Sequence, residues 1–485
     1  MWAQLVEYLK FDPKQPLIFN TGLFMYLFLI LLFFYQFVYK QKKARVLYLT
    51  IFSLFFYYKS GGWYFLLLVG STITDYVLAN LIYKSKVQGR KTLFLMISLI
   101  VNLGLLAYFK YTNFLVSVVN DALDSKLHFI DVLLPVGISF YTFQVLSYTI
   151  DIYRGQLKPA KSIWDFGFYI TFFPHLVAGP IVRAKDFLPQ IGLDIKLSKR
   201  DMGQALFLIM TGLFKKAIIS DYISINFVDR IFDNPTLYSG TENLLGVYGY
   251  AMQIYCDFSG YSDMAIGVAL LMGYRLGINF DSPYQSTSIT EFWRRWHISL
   301  SSWLRDYLYI PLGGNRKGKF RQYFNLMMTM VLGGLWHGAS WNFILWGTMH
   351  GVMLAIDKLR MEYLPAMKGK IWSILGWVFT FHFVSFCWIF FRAQDFTTSW
   401  QVIHQIESGI QWNLLTQWFN AYTFLAFLLV LAYGTHALPN RFNEWVTERL
   451  GRMSVFVQAL LLVGLIFLVM QVKTSDIQPF IYFQF

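Results

Sequence analysis

Long uncharged apolar runs limit this chain to folds that live in lipid. Leu17 to Tyr39 is 23 residues without a charge, and a helix needs about 20 predominantly apolar residues to cross the hydrocarbon core. The run is too long for a signal-peptide core and lacks a small-residue cleavage site after it. Further runs follow at Trp63–Tyr83, Leu93–Phe109, Phe129–Ile152, Trp164–Ala178, Met202–Ile219, Leu244–Leu276, Phe324–Leu354, Ile371–Phe391, Ala421–Leu438 and Val455–Val472. The pattern predicts an all-α polytopic membrane protein with roughly ten to twelve transmembrane and re-entrant segments. Several are interrupted by Gly, Pro or charge, which is tolerated at membrane depth only where backbone is buried in protein or lines a cavity. Neither an internal repeat nor a low-complexity linker is visible, so residues 1–485 read as one membrane domain.

Composition agrees. The chain is 56% hydrophobic and only 14% charged, against about a quarter charged in soluble domains. Soluble, disordered, collagenous and disulfide-rich classes are excluded; Cys256 and Cys387, both in apolar surroundings, read as buried thiols. The net charge of +14 does not point to nucleic acid, because the basic residues sit between apolar runs. Lys40 to Arg45, Lys84 to Lys91 and Lys317 to Arg321 instead mark cytoplasmic loops, which places the N-terminus outside. Val46–Tyr58 and Trp63–Tyr83, joined at Lys59-Ser60-Gly61-Gly62, read as a hairpin across the membrane.

Charges inside membrane segments cost about 2.5–3.5 kcal/mol each at a helix centre and so mark sites or ion pairs. Asp257 and Asp263 lie inside the run Gln253–Asp263 and project about 120° apart on a helix, so they do not form one metal site. Pairing of each with a nearby Arg is the expected structural role. The stretch Glu291–Gly314, with Arg294, Arg295, His297, Arg305 and Asp306 among many aromatics, is too polar to span lipid and reads as interfacial or re-entrant. In Gly333-Gly334-Leu335-Trp336-His337-Gly338, His337 falls about 14 residues into the run from Phe324, close to the midplane if that run spans. The glycines permit close backbone approach or a narrow channel beside the imidazole. His337 is then either a packed core residue or a functional one, and its depth and glycines favour function. His350 would fall about 140° away on the same helix, so one face would not carry both. His175 sits between two prolines in a broken segment. Phosphate-loop, nucleophile-elbow, His-Glu-x-x-His and paired Cys-x-x-Cys motifs are all missing, which leaves zinc or serine hydrolysis without support.

These motifs resemble the membrane-bound O-acyltransferase (MBOAT) superfamily, and within it the bacterial alginate O-acetyltransferase branch. The likeness is densest from about residue 130 to 355. It rests on Leu134–Gln144, Asp151–Gly155, Phe173–Ile181, Cys256–Asp263, Phe292–Ser299 and Gly334–Gly338. The resemblance implies a helical bundle around a central tunnel, with His337 and His297 as catalytic residues. Asp257, Asp263, Arg294, Arg295, Arg305, Asp306, Trp336 and Asn342 are candidates to line the substrate path or hold its walls. It further implies a cytoplasmic acyl donor, acetyl-CoA, with no bound cofactor or metal. The acceptor would be an extracytoplasmic polysaccharide such as alginate, reached through a periplasmic or surface SGNH-type acetyltransferase partner, and the setting a bacterial inner membrane. A basic mouth at Lys317, Lys319 and Arg321 would favour a phosphate-bearing donor. Two other readings stay open: a D-alanyl transferase for teichoic acids, and a transporter, which broken helices and midplane polar groups also mark.

Overall fold

The computed structural model describes residues 8–13, 15–364 and 369–472, and among them every regular element is helical. In lipid each backbone N–H and C=O must be satisfied within the protein, which an α-helix achieves locally. The helices gather into two compact units, one formed by residues 1–205 with 264–277, the other by 206–263 with 278–485.

In the first unit α1 (Gly22–Val38) starts where the Thr21 hydroxyl accepts from the Phe24 N–H. α2 (Lys42–Gly61) ends at Gly62, whose φ of +61° suits glycine, and a short turn leads into α3 (Phe65–Lys84). α4 (Gln88–Leu106) continues towards α5 (Thr112–Leu123). α3 and α4 pack on α6 (Ile138–Tyr153), which is buried along nearly its whole length. The three helices are joined by a polar clamp. Buried Asp75 on α3 accepts from Ser98 and Asn102 on α4 and from Thr149 on α6, the last at 2.9 Å. α7 (Ile163–Thr171) ends before the single turn Phe173–Leu176, so the apolar run Trp164–Ala178 is broken, and α8 (Ala184–Ile191) follows.

α9 (Lys199–Leu213) leads into the second unit, continuing as π-helical backbone over Phe214–Ser220. α10 (Gly240–Leu271) carries Asp257 and Asp263. Two short helices, α11 (Ile289–Arg295) and α12 (Ile298–Leu304), meet at His297. α13 (Lys319–His337) and α14 (Trp341–Tyr363) pack closely, and α15 (Lys370–Arg392) packs on α14. After α16 (Phe396–Ser408) come α17 (Leu414–Ala421) and α18 (Thr423–His436), then α19 (Asn440–Arg452) and α20 (Val455–Val472).

Among the described residues five helical stretches are long and apolar enough to cross a membrane, six if α17 and α18, bent by 94°, count as one span. The sequence runs suggested more segments. The difference arises because several runs fold as helices that are too short or that break partway: α6 has 16 residues and α7 has nine. α6 buries Gln144, Thr149 and Asp151, and Phe324–Leu354 is two helices rather than one.

Candidate active site

His337 is the last residue of α13, not the middle of a spanning helix. The helix stops at Gly338, whose φ of −159° is extended, and the chain re-enters helix at Trp341. The glycines explain why α13 and α14 lie so close. A Cβ on Gly334 would stand 2.2 Å from the Phe343 carbonyl oxygen, and one on Gly347 2.4 Å from that of Met330. The Phe343 ring covers Gly338, where a Cβ would come within 1.9 Å of it. Close approach is therefore what Gly334 and Gly338 supply. The break also overturns the expectation that His337 and His350 share one helix and diverge. They sit on the two arms of this hairpin with the Trp346 indole in ring contact with both, its centroid 5.1 Å from His337 and 4.8 Å from His350.

His297 joins α11 to α12 in the left-handed region, φ +43° and ψ +54°. A non-glycine residue pays roughly 1–2 kcal/mol for that conformation, and here Asn279 holds it. The Ile298 N–H donates to the Asn279 carbonyl at 2.9 Å, and the Ser299 N–H and hydroxyl donate to Asn279 Oδ1 at 3.2 and 2.9 Å. His297 Nδ1 lies 3.1 Å from the same Oδ1. A carboxamide oxygen only accepts, so Nδ1 carries the proton and Nε2 is the basic nitrogen of the neutral ring. The His297 ring stands edge-on to Phe258 at 4.6 Å, 6.0 Å from Trp336 and 6.4 Å from His337. Trp336 in turn lies 5.1 Å from His337. The two imidazoles and this indole are thus brought together within one unit.

A cavity of about 410 Å³ has His337 in its wall, beside Trp293, Trp346 and Gly333. Arg294, Arg305 and Lys358 also line it, and among the described residues no carboxylate does. Arg305 is neutralised by its neighbour Asp306 at 2.7 Å, on a π-helical stretch, Arg305–Tyr309. Arg294 and Lys358 form no ion pair among the described residues, although their neighbours do: Arg295 pairs with Glu291 at 2.9 Å and Arg360 with Asp357 at 3.0 Å. The cationic mouth expected at Lys317, Lys319 and Arg321 is not in this wall; Lys319 pairs instead with Glu362.

Asp257 and Asp263 are paired, but with lysines rather than arginines. Asp257 lies 2.5 Å from Lys216, which also holds Asp221 at 2.8 Å, and Asp263 lies 2.8 Å from Lys215. Asp257 and Asp263 point to successive residues on the facing helix, as their angular separation on α10 requires. Neither lines the cavity, and nor do Arg295, Asp306, Trp336 or Asn342. Asn342 donates to the Ala393 carbonyl at 3.2 Å and to the Ser399 hydroxyl at 3.4 Å, a tie between chain segments. His175 is a packed core residue, with Nε2 2.7 Å from the Tyr169 carbonyl oxygen amid Phe172 and Phe187. Both cysteines are free and buried. Among the described residues no three His, Cys, Asp or Glu side chains group as a metal site. Sequence reading missed Lys358, Asn279 and the two lysines; a polar side chain inside an apolar run was the one signal available for Lys215 and Lys216.

The helical fold, with its long apolar helices, defines a polytopic membrane protein that encloses two imidazoles 6.4 Å apart between centroids. The chain belongs to the membrane-bound O-acyltransferase family, which it matches over residues 12–394, and it is an O-acyltransferase. It is 37% identical to a probable alginate O-acetylase of Pseudomonas putida over 97% of this chain and 100% of that one. It is also 37% identical to a peptidoglycan O-acetyltransferase of Helicobacter pylori, over 80% of this chain and 79% of the relative. A teichoic acid D-alanyltransferase of Bacillus subtilis is 32% identical over 54% of this chain and 69% of its own.

Proposed function

We propose that this protein, in a bacterial inner membrane, passes acetyl groups from cytoplasmic acetyl-CoA towards hydroxyls of an extracytoplasmic polysaccharide. The observation that carries this is one cavity holding His337 together with Arg294 and Lys358, two cations without a carboxylate partner among the described residues. An anionic, phosphate-bearing thioester suits such a wall. His337 takes the proton of the accepting hydroxyl as its oxygen attacks the acetyl carbonyl; the thiolate leaves and is reprotonated. General-base assistance of this kind is worth typically 10²–10⁴-fold. His297, 6.4 Å away between ring centroids, orients the reacting groups. Alginate and peptidoglycan, named for two relatives, are the first acceptors to test, and an SGNH-type surface acetyltransferase is the expected partner in delivery.

The test is acetyl transfer from labelled acetyl-CoA in proteoliposomes, with surface glycans compared by mass spectrometry in cells with and without the protein. Arg294→Gln and Lys358→Gln should each raise KM for acetyl-CoA about tenfold, equivalent to ~1.4 kcal/mol, and leave KM for a phosphate-free acetyl thioester unchanged. D-alanyl esters in place of acetyl esters would favour the teichoic acid reading. An equal KM change for both thioesters would remove the cations from donor binding.

A further inference from the structure

His350 has no place in the acyl-transfer reading, yet it is an expensive residue to keep. Its ring is fully buried, and among the described residues neither Nδ1 nor Nε2 has a hydrogen-bond partner. Aromatic rings surround it: Trp346 at 4.8 Å, Trp293 at 5.1 Å, Phe383 at 5.6 Å and Phe292 at 6.3 Å between centroids. Burying an unsatisfied polar group costs about 1–3 kcal/mol, and a phenylalanine would fill the same aromatic box without that cost. The indole Nε1 atoms of Trp293 and Trp346 are likewise buried and without a partner among the described residues. These two indoles also line the cavity beside His337.

The unpaired groups are complementary. Indole offers only an N–H, and neutral imidazole offers one acceptor nitrogen. Trp346 and His350 are four residues apart on α14, hence on the same face, with their ring centroids 4.8 Å apart. On its other side Trp346 meets His337 nearly perpendicularly, at 80°. We propose that His350 is a positioning residue: its imidazole accepts the Trp346 N–H and so fixes the indole that packs against His337 in the cavity wall. The proposal rests on the acetyl-transfer reading for its kinetic consequence, though not for the hydrogen bond itself.

The test compares His350→Phe, His350→Gln, Trp346→Phe and the double variant His350→Phe/Trp346→Phe in purified, reconstituted protein. His350→Phe removes one unpartnered ring N–H but leaves the Trp346 N–H without its acceptor, so its melting temperature should change little, while kcat falls about 10–100-fold, the usual loss on removing a group that orients a reacting one. KM for acetyl-CoA should stay within twofold or so. His350→Gln, which retains an acceptor, should recover part of kcat, and the double variant should be no slower than the slower single one. Independently of turnover, the ultraviolet resonance Raman difference between wild type and Trp346→Phe should show a hydrogen-bonded indole N–H, which reverts to a free N–H in His350→Phe. Full kcat in His350→Phe, additive losses, or a free N–H in the wild type would each overturn the proposal. A wild type that transfers no acetyl would count against the functional reading, and the Raman band would still decide the role of His350.

Discussion

His337 and Lys216 show how differently two buried polar residues can act. His337 closes α13 beside a cavity, and under the proposed acyl transfer replacing it removes chemistry more than packing. His337→Ala should lower kcat about 10²–10⁴-fold while the protein still purifies as a monodisperse particle; substantial activity in the folded variant would refute this. His297→Asn should be milder, since an amide still hydrogen-bonds to Asn279 but takes no proton at pH 7. Lys216 lies between Asp257 and Asp221 with only 3% of its side chain exposed. Lys216→Met strips both carboxylates of their cation and should cost about 3–5 kcal/mol. Lys215→Met, at a pair with 27% and 20% exposure, should cost visibly less; thermal unfolding in detergent ranks the two. The sequence made the two candidate histidines and the two aspartates stand out. It did not reveal the lysines as their partners, because ion pairing across helices leaves no local pattern. Lys358 was hidden for the same reason: on α14 it looks like any terminal cation.

At the scale of elements the α13–α14 hairpin decides the site. A continuous apolar run from Phe324 to Leu354 gives no sign that it folds back at Gly338, since Ala339 and Ser340 hardly alter its hydropathy. The glycines were legible as points of close approach, but the element they approach was not. Gly334→Ala places a methyl against the Phe343 backbone, which cannot move aside as a side chain can. It should destabilise the protein by about 1–3 kcal/mol or more and reduce turnover by shifting His337. Gly104→Ala on α4, with nothing within 4 Å of its Cβ, is the control and should be neutral or slightly stabilising. Equal melting temperatures for the two variants would show that the hairpin is not held by this contact.

For the whole molecule, the distribution of Lys and Arg predicts the topology. Single cysteines at Lys43, Lys86 and Lys317, all exposed positions, should resist an impermeant maleimide in intact cells and react after permeabilisation. The native thiols are buried and give little background. Labelling of all three from outside would reverse the orientation.

Apolar runs, sparse charge and an ordered set of motifs were enough, by themselves, to determine a helical membrane protein of the O-acyltransferase family and to single out His337 and His297. Those properties are local: hydropathy and side-chain chemistry are written residue by residue. Only the tertiary structure decided where the apolar runs break into separate helices, where Phe324–Leu354 turns back, that Asn279 holds His297 in its left-handed turn, and that Trp346 lies against both His350 and His337. Each of these depends on contacts between segments far apart in the chain or across a break in a helix, where neither period nor composition carries information about the partner.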